Sequence, residues 1–431
     1  MAWIKKSGTI EFCIWTITLL LVLSACFTRQ GISDGVPAVV SIWVIGTGSV
    51  LVFMALKNSV RDRLQCAVLY AAYIVRVACM LVDIYGREYI TLLHSGADTE
   101  GFYKGGQGIY YGIQSGGFGT KYPYILNIFF QVTGDNRVCA QYINIVFWVL
   151  SVFVLIRLCH HFKVKEASKI WIFILWGFLP TGILLTSILL RESMEMFFGL
   201  WSFERFIYWM ESGKKRYCVE AFLFVLPAAV LHSASVALWA AYAVVIMFWN
   251  PVRKKYRWQI KSMVVFMFTV AGIILIFCTP LRLWLFAYFG GDFSLYGITH
   301  RSFAAGGSDY LAGMDCQSWI QFIPYTLIRM FYFLFSPLPM EARGSGDLLM
   351  FLADGFLLLV AIYFISRNMC RKKEIRGYTL AALLGVIMFA GIFAWGCSNA
   401  GTALRHRYLA WSIAVAGLCI CCGEKPEEES V

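Results

Sequence analysis

Two acids spaced one residue apart, Asp98 and Glu100, open a polar stretch that reads HSGADTEGFYKGGQGIYYGIQSGGFGTKYPY. A carboxylate so placed could take a proton from an attacking hydroxyl. It could also hold a divalent metal ion through oxygen ligands. A solvated loop acid is the ordinary alternative for either residue. Tyr103 and Tyr122 follow in the same stretch as candidate substrate contacts. The glycines between Gly96 and Gly119 suit a backbone that must approach a ligand, and they suit plain flexibility equally well.

Cationic candidates lie far away in the chain. Arg191 and Glu192 sit in SILLRESMEMF, between two apolar runs. A charge near a membrane is costly unless paired or wetted, which makes it a functional candidate; an Arg–Glu pair fixing a helix hairpin is the structural alternative. GITHRSFAAGGSDY contributes His300 and Arg301. NAGTALRHR places Arg405 and Arg407 around His406 at the start of a final apolar run. Arginine forks bind phosphate bidentately, although the same residues could anchor to anionic lipid headgroups. His232, in AAVLHSASVA, reads either as a substrate contact or as a buried hydrogen-bonded histidine.

The elements that must position these residues are apolar. Of 431 residues, 59% are hydrophobic and 14% charged, where soluble proteins carry about 25% charged residues. That excludes a soluble globular enzyme, a disordered chain and a disulfide-stapled secreted domain. At ~20 apolar residues per span the composition fills roughly twelve spans. Runs of suitable length lie at 9–28, 37–56, 65–84, 138–157, 168–190, 194–210, 258–279, 348–366, 377–396 and 406–422. The longer run 219–249 contains His232 midway and reads as two short crossings. Lys5 and Lys6 precede the first run without a small-residue cleavage site, so it reads as a retained span.

With twelve spans, the basic clusters at 5–6, 57–63, 163–169, 214–216, 253–257 and 367–376 all fall on one side. The positive-inside rule makes that side the cytoplasm. Both termini would lie there, including a short acidic tail at 423–431. The expected fold is therefore an all-α polytopic transmembrane bundle, a single domain over 1–422 in a plasma membrane of bacterial type. Two long external loops, 85–137 and 280–347, carry the apolar pieces 122–134 and 319–335. Counting one of these as a crossing would invert the basic loops beyond it, so both are expected to be re-entrant or to lie along the membrane surface. The net charge of +12 belongs to the topology signal. No basic patch is interleaved with stacking aromatics, which argues against nucleic-acid binding. The fourteen cysteines lie mainly in apolar runs and contain no paired CxxC motifs, so no zinc site is suggested.

The arrangement resembles the GT-C superfamily of membrane glycosyltransferases, which use polyprenyl-phosphate-linked sugars. The likeness rests on DTEGFY at 98–103, TKYPYILNIFFQVTGDNRVCAQYIN at 120–144, LPTGILLTSILLRES at 179–193 and NAGTALRHR at 399–407. Asp98-Thr99-Glu100 looks like a diverged form of the family's external DxE pair. The resemblance implies that Asp98 is the base of an inverting sugar transfer, with Glu100 assisting or holding a divalent metal. Arg191, Arg301, Arg405 and Arg407 would bind the donor phosphate. Tyr103, Tyr122, Glu192, His232 and His300 would line the substrate. The partners would be a lipid-linked donor, a glycan or lipid acceptor, and membrane lipids. The same features are similar to bacterial surface-polysaccharide polymerases, which join undecaprenyl-diphosphate-linked repeat units. A transporter or lipid flippase is the rival class, with Arg76 and Asp83 as its intramembrane candidates.

Overall fold

The computed structural model describes residues 36–113, 120–257, 259–278, 295–299, 308–311, 314 and 316–424, and these are mostly helical. In chain order the helices are α1 Val36–Ser59, α2 Arg63–Tyr85, α3 Ala97–Tyr110, α4 Tyr122–Thr133, α5 Arg137–His161, α6 Glu166–Phe178, α7 Pro180–Ser187 and α8 Glu192–Ser212. They continue with α9 Lys215–Leu231, α10 Ala237–Phe248, α11 Ile260–Cys278, α12 Leu295–Thr299 and α13 Trp319–Phe335. Last come α14 Ser345–Arg371, which is continuous through a π-helical turn at Phe351–Phe356, α15 Arg376–Phe393 and α16 Ala400–Cys422. A two-stranded antiparallel ribbon, β1 Trp249–Asn250 and β2 Lys255–Tyr256, sets Trp249 opposite Tyr256.

Among the described residues, five helices are long and apolar enough to cross a membrane: α1 from Val39, α2, α5, α14 and α15. The bent pair α6–α7 would make a sixth. Helices of this length and apolarity mark a membrane protein. Each apolar run within the described residues is occupied by helix, yet fewer than twelve of these helices are long and apolar enough to span. The reasons are local. Helix α8 carries Glu192, Glu195, Glu204 and Arg205. The run at 168–190 breaks at Leu179, whose extended backbone precedes Pro180. The run at 219–249 breaks where expected, with His232 extended between α9 and a 3-10 turn at Ser233–Val236. The first expected span, 9–28, lies outside the described residues.

By internal packing the chain divides into two compact bodies. One takes the described residues up to Leu150 together with Ile183–Ser193. The other takes Ser151–Gly182 and the described residues from Met194 onward. The boundary therefore runs inside α5, α7 and α8.

In the first body α1 packs on α2. A chain of hydroxyls joins Ser49 to Tyr73 at 2.9 Å and Tyr73 to Tyr142 at 2.8 Å, linking α1, α2 and α5. Gly48 makes room for Tyr142, because a Cβ there would collide with the phenol. Helix α3 packs on α4, with the Phe102 ring edge-on to Tyr122 at 5.2 Å.

The core of the second body is built on α16, which α14 and α15 flank. Trp176 stacks on Tyr408 with ring centroids 5.3 Å apart. Arg157 of α5 and Glu204 of α8 form a two-point ion pair at 2.6 and 2.7 Å. Burial of the Glu204 carboxylate is tolerable because Arg157 and Tyr208 partner it.

Candidate functional site

The acidic stretch is a helix rather than an open loop. Helix α3 begins after Gly96, whose N–H donates to Thr99 Oγ1 at 3.1 Å while that hydroxyl donates back to the Gly96 carbonyl at 2.9 Å. Asp98 and Glu100 both lie in the first helical turn. The positive end of the helix dipole favours carboxylates there. Asp98 is exposed and Glu100 half-buried.

Glu100 is gripped by two arginines. Arg137 donates to both of its carboxylate oxygens, at 3.0 and 2.6 Å. Arg87 binds the same carboxylate from the other side. The hydrogen bonds from Arg137, acting against the effect of burial and joined by those from Arg87, hold the Glu100 carboxyl down at about 2. Arg87 also donates to Asp83 at 3.3 Å and to Ser95 Oγ at 2.7 Å. Gln141 donates to Asp83 at 2.9 Å and accepts from Arg137 Nε at 3.1 Å. Asp83, Arg87, Glu100, Arg137 and Gln141 thus close a ring drawn from α2 and the turn after it, α3 and α5. Its two acids balance its two cations.

A second grip lies along the same helix. Tyr103, Gln107 and Tyr111 are four residues apart, so they share one face. All three donate to Asp135, at 2.7, 2.6 and 3.2 Å. Burial, then the neighbouring Asp135 charge, pushes the Tyr103 phenol upward, which keeps it protonated as a donor. The Arg137 guanidinium lies 5.2 Å from the centre of the Tyr103 ring, joining the two grips. Neither Arg87, Arg137, Gln107 nor Asp135 figures among the residues that sequence singled out. The four-residue spacing of 103, 107 and 111 could have marked Gln107 and the face that meets Asp135; it says nothing of Arg87 or Arg137.

The remaining candidates of the first body are buried. Tyr122 is fully enclosed, with its hydroxyl 3.5 Å from Asn144 Oδ1. Arg191 is 9% exposed and Glu192 3% exposed. The transporter candidates do not form a pair with each other in the contacts of this helix. Arg76 donates to Thr186 Oγ1 at 2.9 Å and lies 3.7 Å over Trp148, whereas Asp83 belongs to the ring described above.

In the second body His232 accepts from the Ala234 amide through Nδ1 at 3.3 Å, capping the 3-10 turn. Its ring lies 4.8 Å from that of His406 and 5.2 Å from Phe393. His406 stacks on Phe393 at 4.9 Å. Next to it Arg405 is half-buried. The described end of the second long loop reaches the same helix start: Tyr310 N donates to the Ser398 carbonyl at 2.9 Å and Ala400 N to the Ser308 carbonyl at 3.0 Å. Asn399 caps α16 by accepting from Thr402 N at 2.7 Å.

Arg407, expected to bind phosphate, is occupied inside the fold. It is fully buried, and its Nε lies 2.7 Å from Asp354 Oδ1. Its Nη1 donates to the Leu334 carbonyl at 2.7 Å and its Nη2 to the Ser336 carbonyl. Those are the open carbonyls at the end of α13. Thr181 donates to the second Asp354 oxygen at 2.6 Å. Asp354 itself sits in the π-helical turn of α14. His300 and Arg301 lie outside the described residues.

Among the described residues, no three His, Cys, Asp or Glu side chains gather as a metal-holding group. Set beside protein-family models, curated proteins and solved structures, the chain matches none.

Proposed function

We propose that the protein is an integral membrane glycosyltransferase that moves a sugar from a polyprenyl-phosphate-linked donor to a glycan or lipid acceptor on the external face of the plasma membrane. The transfer is inverting. Asp98 accepts the proton of the attacking hydroxyl, and one of Arg191, Arg301 or Arg405 stabilises the phosphate as it leaves. Such stabilisation of developing charge is usually the largest catalytic effect. The bundle has twelve spans, with the termini and basic loops in the cytoplasm.

One observation carries the reading. Helix α3 is held at Glu100 by two arginines and along its length by Asp135, while Asp98 stays exposed in its first turn. A reacting carboxylate needs such a fixed mount. The test is transfer from lipid-linked sugar donors by membranes carrying Asp98→Asn. General-base loss predicts a fall of ~10²–10⁴-fold; activity equal to wild type would remove Asp98 from the mechanism.

A transporter reading draws on the buried charges Arg76, Asp83, Asp354 and Arg407. Each of these has an internal partner at hydrogen-bond distance or under a ring. That is how structural charges are held, so the enzymatic reading is preferred.

A further inference from the structure

A cavity of about 620 Å³ lies in the second body, where α14 and α16 end and α15 begins. Four cations line it, Lys165, Arg371, Lys372 and Lys373, against two carboxylates, Glu374 and Glu424. The excess is two positive charges. Three separate chain segments supply them, and all six side chains are exposed. The volume falls within the ~300–1,000 Å³ range of sites that enclose small ligands.

The bland account of these residues is the positive-inside rule, which needs only solvated loops. It does not explain a cavity. It also leaves unexplained a division of labour among the cations. Lys372 has a structural task, since its Nζ donates to the Cys421 and Gly423 carbonyls at 3.0 Å each and closes the end of α16. That leaves Lys165, Arg371 and Lys373 to face an outside ligand. The site also lies at the ends of two helices able to cross a membrane, α14 and α15. That is the level at which basic pockets between spans meet phosphate headgroups.

We infer that this cavity binds a phosphate-bearing anion, supplied either by the headgroup of an anionic phospholipid or by a soluble phosphate compound. Arg371 gives the bidentate fork; Lys165 and Lys373 add point charges. Cys422 lines the same cavity and serves as its reporter.

The experiment is alkylation of the full-length protein with N-ethylmaleimide, read at Cys422 by peptide mass spectrometry, with Cys218 as internal control. One arm compares nanodiscs of phosphatidylcholine with nanodiscs containing phosphatidylglycerol. The other adds pyrophosphate to phosphatidylcholine nanodiscs. Slower modification of Cys422 alone in the first arm identifies a lipid headgroup; in the second, a soluble phosphate. Arg371→Gln with Lys373→Gln should weaken the protecting ligand about 25-fold, at roughly fivefold per charge lost. Lys372 is left in place so that α16 stays closed. Modification of Cys422 at one rate in every arm would overturn the proposal. So would protection that survives both substitutions undiminished.

Discussion

Asp98 and Glu100 are two positions apart on one helix and answer to different neighbours. Asp98 faces outward, while Glu100 is spent on Arg137 and Arg87. Its depressed carboxyl gives a pH signature with a definite sign. A carboxylate held at about 2, against an ordinary 4.5, stabilises the fold above 4.5, and that contribution is lost as pH falls through about 2. Glu100→Gln should therefore lower the thermal midpoint at neutral pH, by an amount worth about 1 kcal/mol for a partly exposed pair. The gap between wild type and variant should close as the pH is lowered from about 4.5 to about 2. A gap of constant size across that window would show that the charge of Glu100 contributes nothing. The acids themselves were legible in the sequence, because carboxylates are rare in so apolar a chain. Their partners were not. Arg87 lies 13 residues before Glu100 and Arg137 lies 37 after it, and only the folding of α3 beside α2 and α5 brings them together.

At the scale of elements, Gly105 and Gly106 of α3 belong to packing. A Cβ on Gly106 would lie 2.9 Å from Phe130 and 3.0 Å from Leu126, and one on Gly105 would lie 3.1 Å from Pro123. At these two positions the backbone approaches α4 closely. Gly106→Leu should force the two helices apart and destabilise by ~1–3 kcal/mol, seen as faster proteolysis within α3–α4. Gly96, with open space around it, should tolerate alanine in the same assay. The Arg407–Asp354 pair makes a stronger claim. It ties the end of α13 and the π-helical turn of α14 to α16 with no water-exposed atom on either side chain. Removing one partner should strand the other charge, so Arg407→Ala or Asp354→Ala should each cost ~3–5 kcal/mol in unfolding measurements on detergent-solubilised protein. Arg407→Met combined with Asp354→Leu should recover most of that loss. If Arg407 instead bound a substrate phosphate, Arg407→Ala would abolish turnover with little change in stability. Apolar periodicity could show where α14 and α16 run. It could not show that an arginine in NAGTALRHR turns inward to cap another helix, because nothing in its local spacing differs from that of Arg405.

For the whole molecule, the legible part is the alternation of apolar runs with basic loops. Within the described residues helices stand where those runs lie, and the break at His232 falls between α9 and α10 as the length of that run requires. What spacing cannot supply is the number of crossings, since α8, α9, α10 and α13 are apolar yet short or charge-bearing. Charge supplies an independent handle. If twelve spans hold, Lys163, Lys214, Lys254 and Lys373 share one face of the membrane, and Asp98 lies on the other. Single cysteines at these five positions, in a background lacking native cysteines, should separate accordingly. In intact cells a membrane-impermeant maleimide should label position 98 alone, and the other four only after the membrane is opened. A split among the four basic positions would mean that one of the short helices, or one of the apolar pieces at 122–134 and 319–335, crosses differently. Labelling of position 98 only from the cytoplasmic side would put the acid on the wrong face for an externally presented acceptor, and the proposed transfer would fall with it.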